Sequence, residues 1–492
     1  MELDAVEIDI GTPSPTVLVH SEDAEELGAH PLDRVQIAFD GDVLTGIVEV
    51  TDELLDRGEL GVTRPLGHVT GPVEVTLAPR PESVADIRKK LDDVELDREE
   101  IATVVADINR DRLNDVELGA YVSAVYANGL SLAETMHLTE AMTDAGARLE
   151  WDADVVADKH SIGGVAGNRV TPIVVPIVAA AGVPIPKTSS RAVTSPAGTA
   201  DTMEVFCPVE FSREELRAVV DETGGCLAWG GSVNLSPADD KIIRAENPLS
   251  LDPPGQVIAS VLSKKLSAGS SHVVIDIPYG EGAKVDSLAE ARELAVDFRR
   301  VGEHVGLRLE CAITEGSQPV GRGIGPILEA RDVLAVLAGE GPRDLRLKSL
   351  RLAELLLEAC GVDADPAAIL DSGRADERFR AIVAAQGGDP DVTVDDLDPG
   401  GQTATIAADE GGDVVHVDSR GLSEVARRAG APRDQGAGIL LHRRVGDAVA
   451  AGDPLFTVHA EKAEKLAEAR EVATEREAVR VRPPDESLVE RV

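Results

Sequence analysis

Residues 158–206 set two loops rich in glycine, serine and threonine around an apolar segment, and that alternation narrows the possible folds more than any other stretch of the chain. The first loop reads Lys159-His160-Ser161-Ile162-Gly163-Gly164. The second reads Ser189-Ser190-Arg191-Ala192-Val193-Thr194-Ser195-Pro196-Ala197-Gly198-Thr199. The apolar run between them is too short to span a membrane. What remains is strand, loop, helix, strand, loop, helix. Val155 and Val156 lead into the first loop as a short strand, and Thr171-Pro172 reads as a helix N-cap followed by proline at the first helical position. Each loop therefore feeds a helix start. Free backbone N–H groups and the positive end of the helix dipole meet there, glycine allows close approach, and Lys159, Ser161, Ser189 and Thr199 add donors. Such a pair of loops suits a phosphate. Either loop alone is equally consistent with a plain turn. On consecutive parallel strands, however, the two would lie side by side at the carboxyl ends of the sheet, where open α/β folds bind ligands. No G-x-x-x-x-G-K-[ST] occurs, so this is not a Walker loop.

Net charge is −41, with 89 acidic against 48 basic side chains, which disfavours nucleic acid or an anionic membrane as partner. Aromatic residues are only 2%, and the whole pattern is that of a halophilic protein whose self-repulsion is screened by high salt. Salt-dependent folding is expected. With 492 residues there is room for three or four domains. Cys207, Cys226, Cys311 and Cys360 are scattered without C-x-x-C spacing and read as core residues in a reducing compartment. With Glu2, Asp4, Glu7 and Asp9 in the first ten residues no signal peptide is expected, and a cytoplasmic location is expected.

In chain order, Val6, Ile8 and Ile10 alternate with acidic residues, Val35, Ile37 and Phe39 alternate likewise, and 43–50 continues the strand character, giving a small β-barrel ending near Pro79. Helices follow. Asp97-x-x-Glu100 and Ser131-x-x-Glu134 are capping-box signatures, and Ile101, Val104, Val105 and Ile108 share one helical face. Later, Asp252-Pro253-Pro254-Gly255 reads as a helix start with Asp252 as N-cap, placing Ser260 and Lys264 one turn apart on one face. On sequence physics alone Asp252 is a cap, and Lys264 and Lys265 are solvated. A strand at 272–278, a loop at 279–284, a helix from about Ser287, a strand at 307–314 and a helix from about Gly325 extend the α/β sheet. Lys284 in that loop is equally consistent with closing a turn. Gly321-x-Gly323-x-Gly325 lacks dinucleotide-site spacing and reads as a turn. From about Pro390 short strands return. The 446–455 turn resembles those of biotinyl and lipoyl domains, but no lysine sits at the hairpin tip, which argues against a carrier role. His442 and His459 read as structural.

The KHS-x-GG loop, the S-x-R-x-x-x-x-x-x-G-T-x-D-x-x-E run over 189–204 and the S-x-x-x-K-K run over 260–265 together resemble the thymidine and pyrimidine-nucleoside phosphorylases. The likeness covers the chain from about Ser83 onward. Over its whole length, with an additional amino-terminal domain, the chain is most similar to the archaeal AMP phosphorylases. The resemblance implies an α/β multidomain fold. Its parts are an amino-terminal β-barrel-like domain over 1–82, a helical domain over 83–150 joined by 240–270, an α/β phosphate-binding domain with a mostly parallel sheet over 151–389, and a carboxyl-terminal α+β domain over 390–492. It implies a role in assembly for the barrel and a homodimer or larger homo-oligomer.

The activity it implies is phosphorolysis of nucleoside 5′-monophosphates, with AMP and phosphate giving adenine and ribose 1,5-bisphosphate, and CMP and UMP as further substrates. Phosphate is a co-substrate, and neither a metal nor an organic cofactor is expected. By motif, Lys159, Ser161 and Ser189 hold inorganic phosphate, with Thr171 in the place of a family serine. Gly164, Ser190, Arg191, Ala192, Val193, Thr194, Ser195, Thr199, Ser260 and Lys284 bind AMP, Lys264 lies near the nucleobase, and Asp252, or alternatively His160, protonates the departing base. Two features set the chain apart from the nucleoside enzymes: Ser190 stands where they have glycine, and the 165–169 loop is one residue longer. The rival readings are a pyrimidine-nucleoside or thymidine phosphorylase and a non-catalytic nucleotide-binding adaptor. Retention of the KHS loop and Asp252 speaks against the adaptor. Anthranilate phosphoribosyltransferase shares the architecture, but the motif run matches the phosphorylases better.

Overall fold

A computed structural model describes residues 1–192, 195–233 and 235–482. The chain forms two compact units, 1–146 with 236–260, and 147–235 with 261–492, the division falling within the helix Pro254–Ser267. In the first unit the strands Glu2–Ile8, Thr16–His20, Arg34–Phe39, Asp42–Thr51, Glu59–Thr63 and Gly71–Leu77 close into a barrel. Val35 and Ile37 fill its interior. The phase of the first strand differs from the sequence expectation, because Leu3 and Ala5 point inward while Ile10 lies beyond the strand and is exposed. Ile8 instead packs on the outer face over Gly61, whose missing side chain leaves room beside Leu18 and Leu55.

The helices Ser83–Leu91, Arg98–Asn109, Asp115–Asn128, Leu132–Ala145 and Pro237–Glu246 complete this unit. Both expected capping boxes form, and Asn114 with Glu117 makes another. Ile101, Val104, Val105 and Ile108 are buried in one core with Val122, Leu138 and Met142. Glu134, itself buried, is satisfied by Lys90 Nζ at 2.8 Å and by the Leu96 N–H at 3.0 Å, so its charge is paired where water is excluded.

In the second unit the strands Arg308–Glu315, His272–Tyr279 and Ala157–Ser161 form one parallel sheet, and Ile185–Ser189 pairs in parallel with Gly225–Trp229. The Ala157 N–H donates to Pro184 O at 2.8 Å, joining the two ladders at their amino ends. The helix Thr171–Ala180 between them is apolar on every side, as a helix enclosed by the Arg343–Ala359 and Arg374–Ala385 helices and the sheet must be. Val170 is its N-cap, so Thr171 is the first helical residue and Pro172 the second, and the helix begins one residue earlier than the sequence suggested, whereas the strand before it begins later.

The first strand starts later than expected. Because Lys159, His160 and Ser161 pair with Val274, Ile275 and Asp276, they belong to the strand rather than to the loop. Gly323–Ile324 is a short strand against Gly438–Leu441, not a turn, and Gly323 allows the backbone of Leu328 to approach closely. The remaining strands of the carboxyl-terminal part, with the helices Ser419–Ala429 and Ala463–Arg476, enclose a separate core. His442 bonds Thr457 Oγ1 at 2.8 Å and His459 bonds Gly400 O at 3.2 Å, both within that part. No helix among the described residues is long and apolar enough to cross a membrane.

Candidate functional site

The strands Ala157–Ser161, Ile185–Ser189 and His272–Tyr279 carry a buried polar cluster along their length, below the carboxyl ends from which the loops leave. Asp158 accepts from Lys265 Nζ at 2.8 Å and Ser270 Oγ at 3.2 Å, and Lys187 Nζ lies 3.7 Å from its other oxygen. Asp276 accepts from Ser161 Oγ at 2.8 Å and Thr314 Oγ1 at 2.6 Å, with Lys348 Nζ at 3.1 Å. Lys159 Nζ reaches Thr171 Oγ1 at 3.4 Å. The cluster thus holds four ammonium groups, Lys159, Lys187, Lys265 and Lys348, against the two carboxylates Asp158 and Asp276.

The electrostatic consequence is large. Burial first, then the neighbouring Lys348, Arg169 and Lys265, push Lys159 down to about 7 in spite of Asp276. Burial and Lys265 do the same to Lys187, also to about 7. His160 is driven well below the ordinary imidazole value by burial and by Lys265, Lys187, Lys159 and Lys264. For Asp276, burial works against the charge, but Lys348, Lys159 and the hydroxyl donors outweigh it and hold it below the usual carboxylate range. Cations that suppress one another in this way mark a place suited to an anion.

The two loops that rise from these strands touch. Arg169, in the first, donates from Nη1 to Thr199 Oγ1 at 3.1 Å and from Nη2 to Ala197 O at 2.8 Å, while its Nε pairs with the buried Glu329. The Gly164 position has φ +89°, and a Cβ there would stand 2.5 Å from the Lys284 nitrogen, so the first loop lies directly on the 280–284 loop. In the second loop the Asp201 carboxylate accepts from the Ala192 N–H at 2.6 Å and the Gly198 N–H at 2.7 Å, closing the turn. Ser189 Oγ is buried and, among the described residues, has no hydrogen-bond partner.

Of the expected site residues, Lys159, His160, Ser161, Gly164, Thr171, Ser189, Ser190, Ala192, Ser195, Thr199, Lys264 and Lys284 belong to the second unit. Ser190, Gly164 and Lys284 are exposed, whereas Lys159 is buried. Ser161 is less available than its position suggested, because its proton goes to Asp276. Arg191 is committed to carboxylates, donating to Glu204 at 2.6 and 2.8 Å and to Glu210 at 2.9 Å, with the Trp229 ring 5.0 Å from its guanidinium. Val193 and Thr194 lie outside the described residues.

Asp252 and Ser260 belong to the first unit. The helix opens at Pro254, so Asp252 stands exposed two residues ahead of it. Ser260 Oγ donates to the buried Asp239 at 2.7 Å.

Sequence reasoning missed Asp158, Lys187, Asp201, Lys265, Asp276, Glu329 and Lys348. Lys265 is 1% exposed, which overturns the reading of it as solvated. Asp276 did leave a signal: a carboxylate inside a strand otherwise apolar on both faces needs a partner.

Residues 153–346 match the family described as glycosyl transferase family, a/b domain, residues 86–146 its helical bundle domain, and residues 414–479 the pyrimidine nucleoside phosphorylase C-terminal domain. The crystal structure of an anthranilate phosphoribosyltransferase from Thermus thermophilus has a TM-score of 0.52 at 19% identity, covering 61% of this chain and 98% of that one, a likeness of fold. The chain is 64% identical to the AMP phosphorylase of Natronomonas pharaonis over 100% of both chains. It is 46% identical to AMP phosphorylase 1 of Archaeoglobus fulgidus over 94% of each, and 45% identical to the AMP phosphorylase of Thermococcus kodakarensis over 95% of each. With two linked donor loops above a cation-rich cluster and this identity sustained from end to end, the chain belongs to the AMP phosphorylase family.

Proposed function

We propose that the chain is a pentosyltransferase that uses inorganic phosphate to cleave the N-glycosidic bond of AMP, releasing adenine and ribose 1,5-bisphosphate. CMP and UMP are further substrates in this reading. The observation that carries it is the cation excess beneath the loops, four lysines on two aspartates, together with the buried Ser189 hydroxyl, which has no hydrogen-bond partner among the described residues. A phosphate dianion would balance that charge and give Ser189 its partner. Lys159, Ser189 and Thr171 hold the phosphate, with Ser161 positioned through Asp276. Gly164, 190–195, Thr199, Ser260 and Lys284 hold the nucleotide, and Lys264 faces the base.

The sugar develops oxocarbenium character as the bond breaks, so a bound phosphate oxygen stabilises the anomeric carbon while a proton neutralises the departing base. Of the two candidate acids we assign Asp252, on the unsuitability of His160. His160 is kept neutral by burial and four lysines, and a neutral imidazole gives up a proton poorly. The enzyme works as a cytoplasmic homodimer or larger homo-oligomer, with the barrel serving assembly.

The test is phosphate-dependent base release in molar salt with AMP, CMP, UMP, adenosine and thymidine compared directly. AMP should be turned over best, with ribose 1,5-bisphosphate as product. Equal or better turnover of adenosine or thymidine would return the chain to the nucleoside phosphorylases, the reading favoured by the match over 414–479. Asp252→Asn with unchanged turnover would refute the assigned acid.

A further inference from the structure

The carboxyl-terminal part meets the 280–284 loop at His416, whose Nδ1 lies 3.6 Å from Glu281 Oε2, and most closely at Arg420. Arg420, in the first turn of the helix Ser419–Ala429, donates from Nη2 to Ala283 O at 2.8 Å and from Nε to Gly282 O at 3.2 Å. One guanidinium thus grips two consecutive carbonyls of the 280–284 loop. A planar fork suits that task and a lysine does not. The position is otherwise a poor one for a cation, since the first turn is the positive end of the helix dipole, while Arg427 and Arg428 sit in the favourable last turn.

The gripped loop has little freedom of its own. Its turn is closed by the Ala283 N–H to Gly280 O and the Gly280 N–H to Val285 O, both at 3.0 Å. Gly280 and Gly282 have φ +127° and +89°, and a Cβ on Gly282 would meet Ser419 Cβ at 3.7 Å. On its other side lies Gly164, where a Cβ would stand 2.5 Å from the Lys284 nitrogen and 3.0 Å from Lys284 Cγ. The first glycine loop, the Lys284 loop and the start of the Ser419–Ala429 helix are therefore stacked in direct contact. Ala166, two residues after Gly164, is buried within the same core as Val417, Leu422 and Val425. A shift of that helix would move both loops together.

We infer that Arg420 is a positioning residue for the nucleotide, holding the exposed edge formed by Lys284 and Gly164 in the register that receives the substrate's 5′-phosphate. A lysine ammonium beside glycine N–H groups suits an anion, and the 5′-phosphate is the anion that separates a nucleotide from a nucleoside. This inference rests on the proposed reading of Lys284 and Gly164 as nucleotide contacts, and the experiment separates the two.

Initial rates with AMP are measured in molar salt, with melting temperatures, for the full-length chain and for Arg420→Ala, Arg420→Lys, Lys284→Ala, the double variant Arg420→Ala/Lys284→Ala, and Arg428→Ala as a charge-matched control on the same helix. Arg420→Ala should raise the KM for AMP about 10-fold, as expected for losing two charge-assisted hydrogen bonds, with kcat and the KM for phosphate little changed. Arg420→Lys should fall between, because it keeps the charge and loses the fork. If the alanine variant folds poorly, the lysine variant decides. In the Lys284→Ala background, removing Arg420 should add less than about twofold, since it acts through the loop already disabled. A wild-type KM for AMP in Arg420→Ala, or its full factor added on top of Lys284→Ala, would overturn the inference while a raised KM in Lys284→Ala leaves the nucleotide reading standing. A wild-type KM in Lys284→Ala would overturn both.

Discussion

The two loops of the site do similar work and are held in different ways. The first is fixed by contact and by one buried ion pair, Arg169 with Glu329. Gly167 has φ +69°, and a Cβ there would lie 2.5 Å from Val320 O and 2.8 Å from Gly323 O. The loop is seated in the core by Ala166, whose carbonyl accepts from the Val320 N–H at 3.1 Å. The second is fixed by charge, through Asp201 on the Ala192 and Gly198 N–H groups and through Arg191 on Glu204 and Glu210. Packing does not respond to salt or pH, whereas exposed ion pairs do. The first loop is thus insulated from the solvent in which a chain of net charge −41 must live, and the second is not.

The comparison breaks most severely at Gly167. Alanine there meets two carbonyl oxygens that belong to backbone and cannot rotate away, in a conformation already unfavourable for a side chain. A loss of about 3 kcal/mol in folding stability is expected from overpacking and left-handed strain together, with turnover falling in parallel. Gly163 supplies the control. Its φ is +89°, but nothing lies within 4 Å of its Cβ position, so alanine should cost only the conformational strain, about 1 kcal/mol. Denaturant unfolding in molar salt reads both, and equal losses would show that packing does not hold this loop.

Asp201→Asn tests the other loop. Both N–H groups donate to one oxygen, Oδ2, so an amide oxygen in its place can still accept them, but the charge is lost, and bonds worth about 1.5–3 kcal/mol to a carboxylate fall toward the roughly 0.5–1.5 kcal/mol of neutral ones. Because the damage is local, the KM for AMP should rise about 10-fold while the melting temperature moves by a few degrees. A fall in stability matching Gly167→Ala with an unmoved KM would mean that Asp201 serves the core and not the loop.

Much of this difference was legible in the sequence, and the part that was not has a physical reason. Gly163, Gly164 and the 189–204 run marked both loops, since donors and glycines at helix starts are local signals. The barrel, the capping boxes and the face formed by Ile101, Val104, Val105 and Ile108 were legible because alternation and 3.6-residue periodicity are local too. The phase of the first strand was not, because Val6 and Ile8 are as apolar as Leu3 and Ala5, and only pairing with the Glu59–Thr63 and Gly71–Leu77 strands decides which face is enclosed. The ion cluster was hidden for the same reason. Lys265 and Asp158 stand 107 positions apart, and nothing near either one indicates that it is buried. Arg191 shows the reverse case: its place in a donor-rich loop suggested a ligand, and Glu204, already within the quoted motif, also pairs with it.

Beneath both loops the ion cluster predicts a pH effect of intermediate size. Lys159 and Lys187 are held down at about 7, so between that pH and the ordinary lysine value the unfolded chain binds protons that the folded chain lacks. These groups therefore make folding more favourable as pH rises through that window. Phosphate binding runs the other way. As Lys159 gives up its charge the anion loses its main attraction, so the Kd for phosphate should rise by up to about 10-fold per pH unit for each proton linked. Calorimetric titration of phosphate at pH 6.5, 7.5 and 8.5, in buffers of different ionisation heat, should show net proton uptake above pH 7.5. Affinity that stays flat with no uptake would place the anion away from Lys159.

The smallest effect is expected at Arg191, and it is the one that most directly separates contact from charge. Its guanidinium is held still more firmly protonated, first by the bond from Glu204, and Glu204 is in turn held below the ordinary glutamate value by the same bond. A depressed carboxylate contributes stability above its unfolded pKa and loses it as the pH falls through the folded value, so the contribution is present at neutral pH. Both partners are partly exposed, which limits the pair to a few tenths of a kcal/mol up to about 1, less in concentrated salt. Arg191→Gln should accordingly raise the KM for AMP by about twofold in low salt and leave it nearly unchanged in molar salt, whereas Gly167→Ala should be as damaging in one as in the other. An Arg191→Gln effect that is large and independent of salt would mean that the side chain leaves Glu204 to take the nucleotide directly, as its sequence position first suggested.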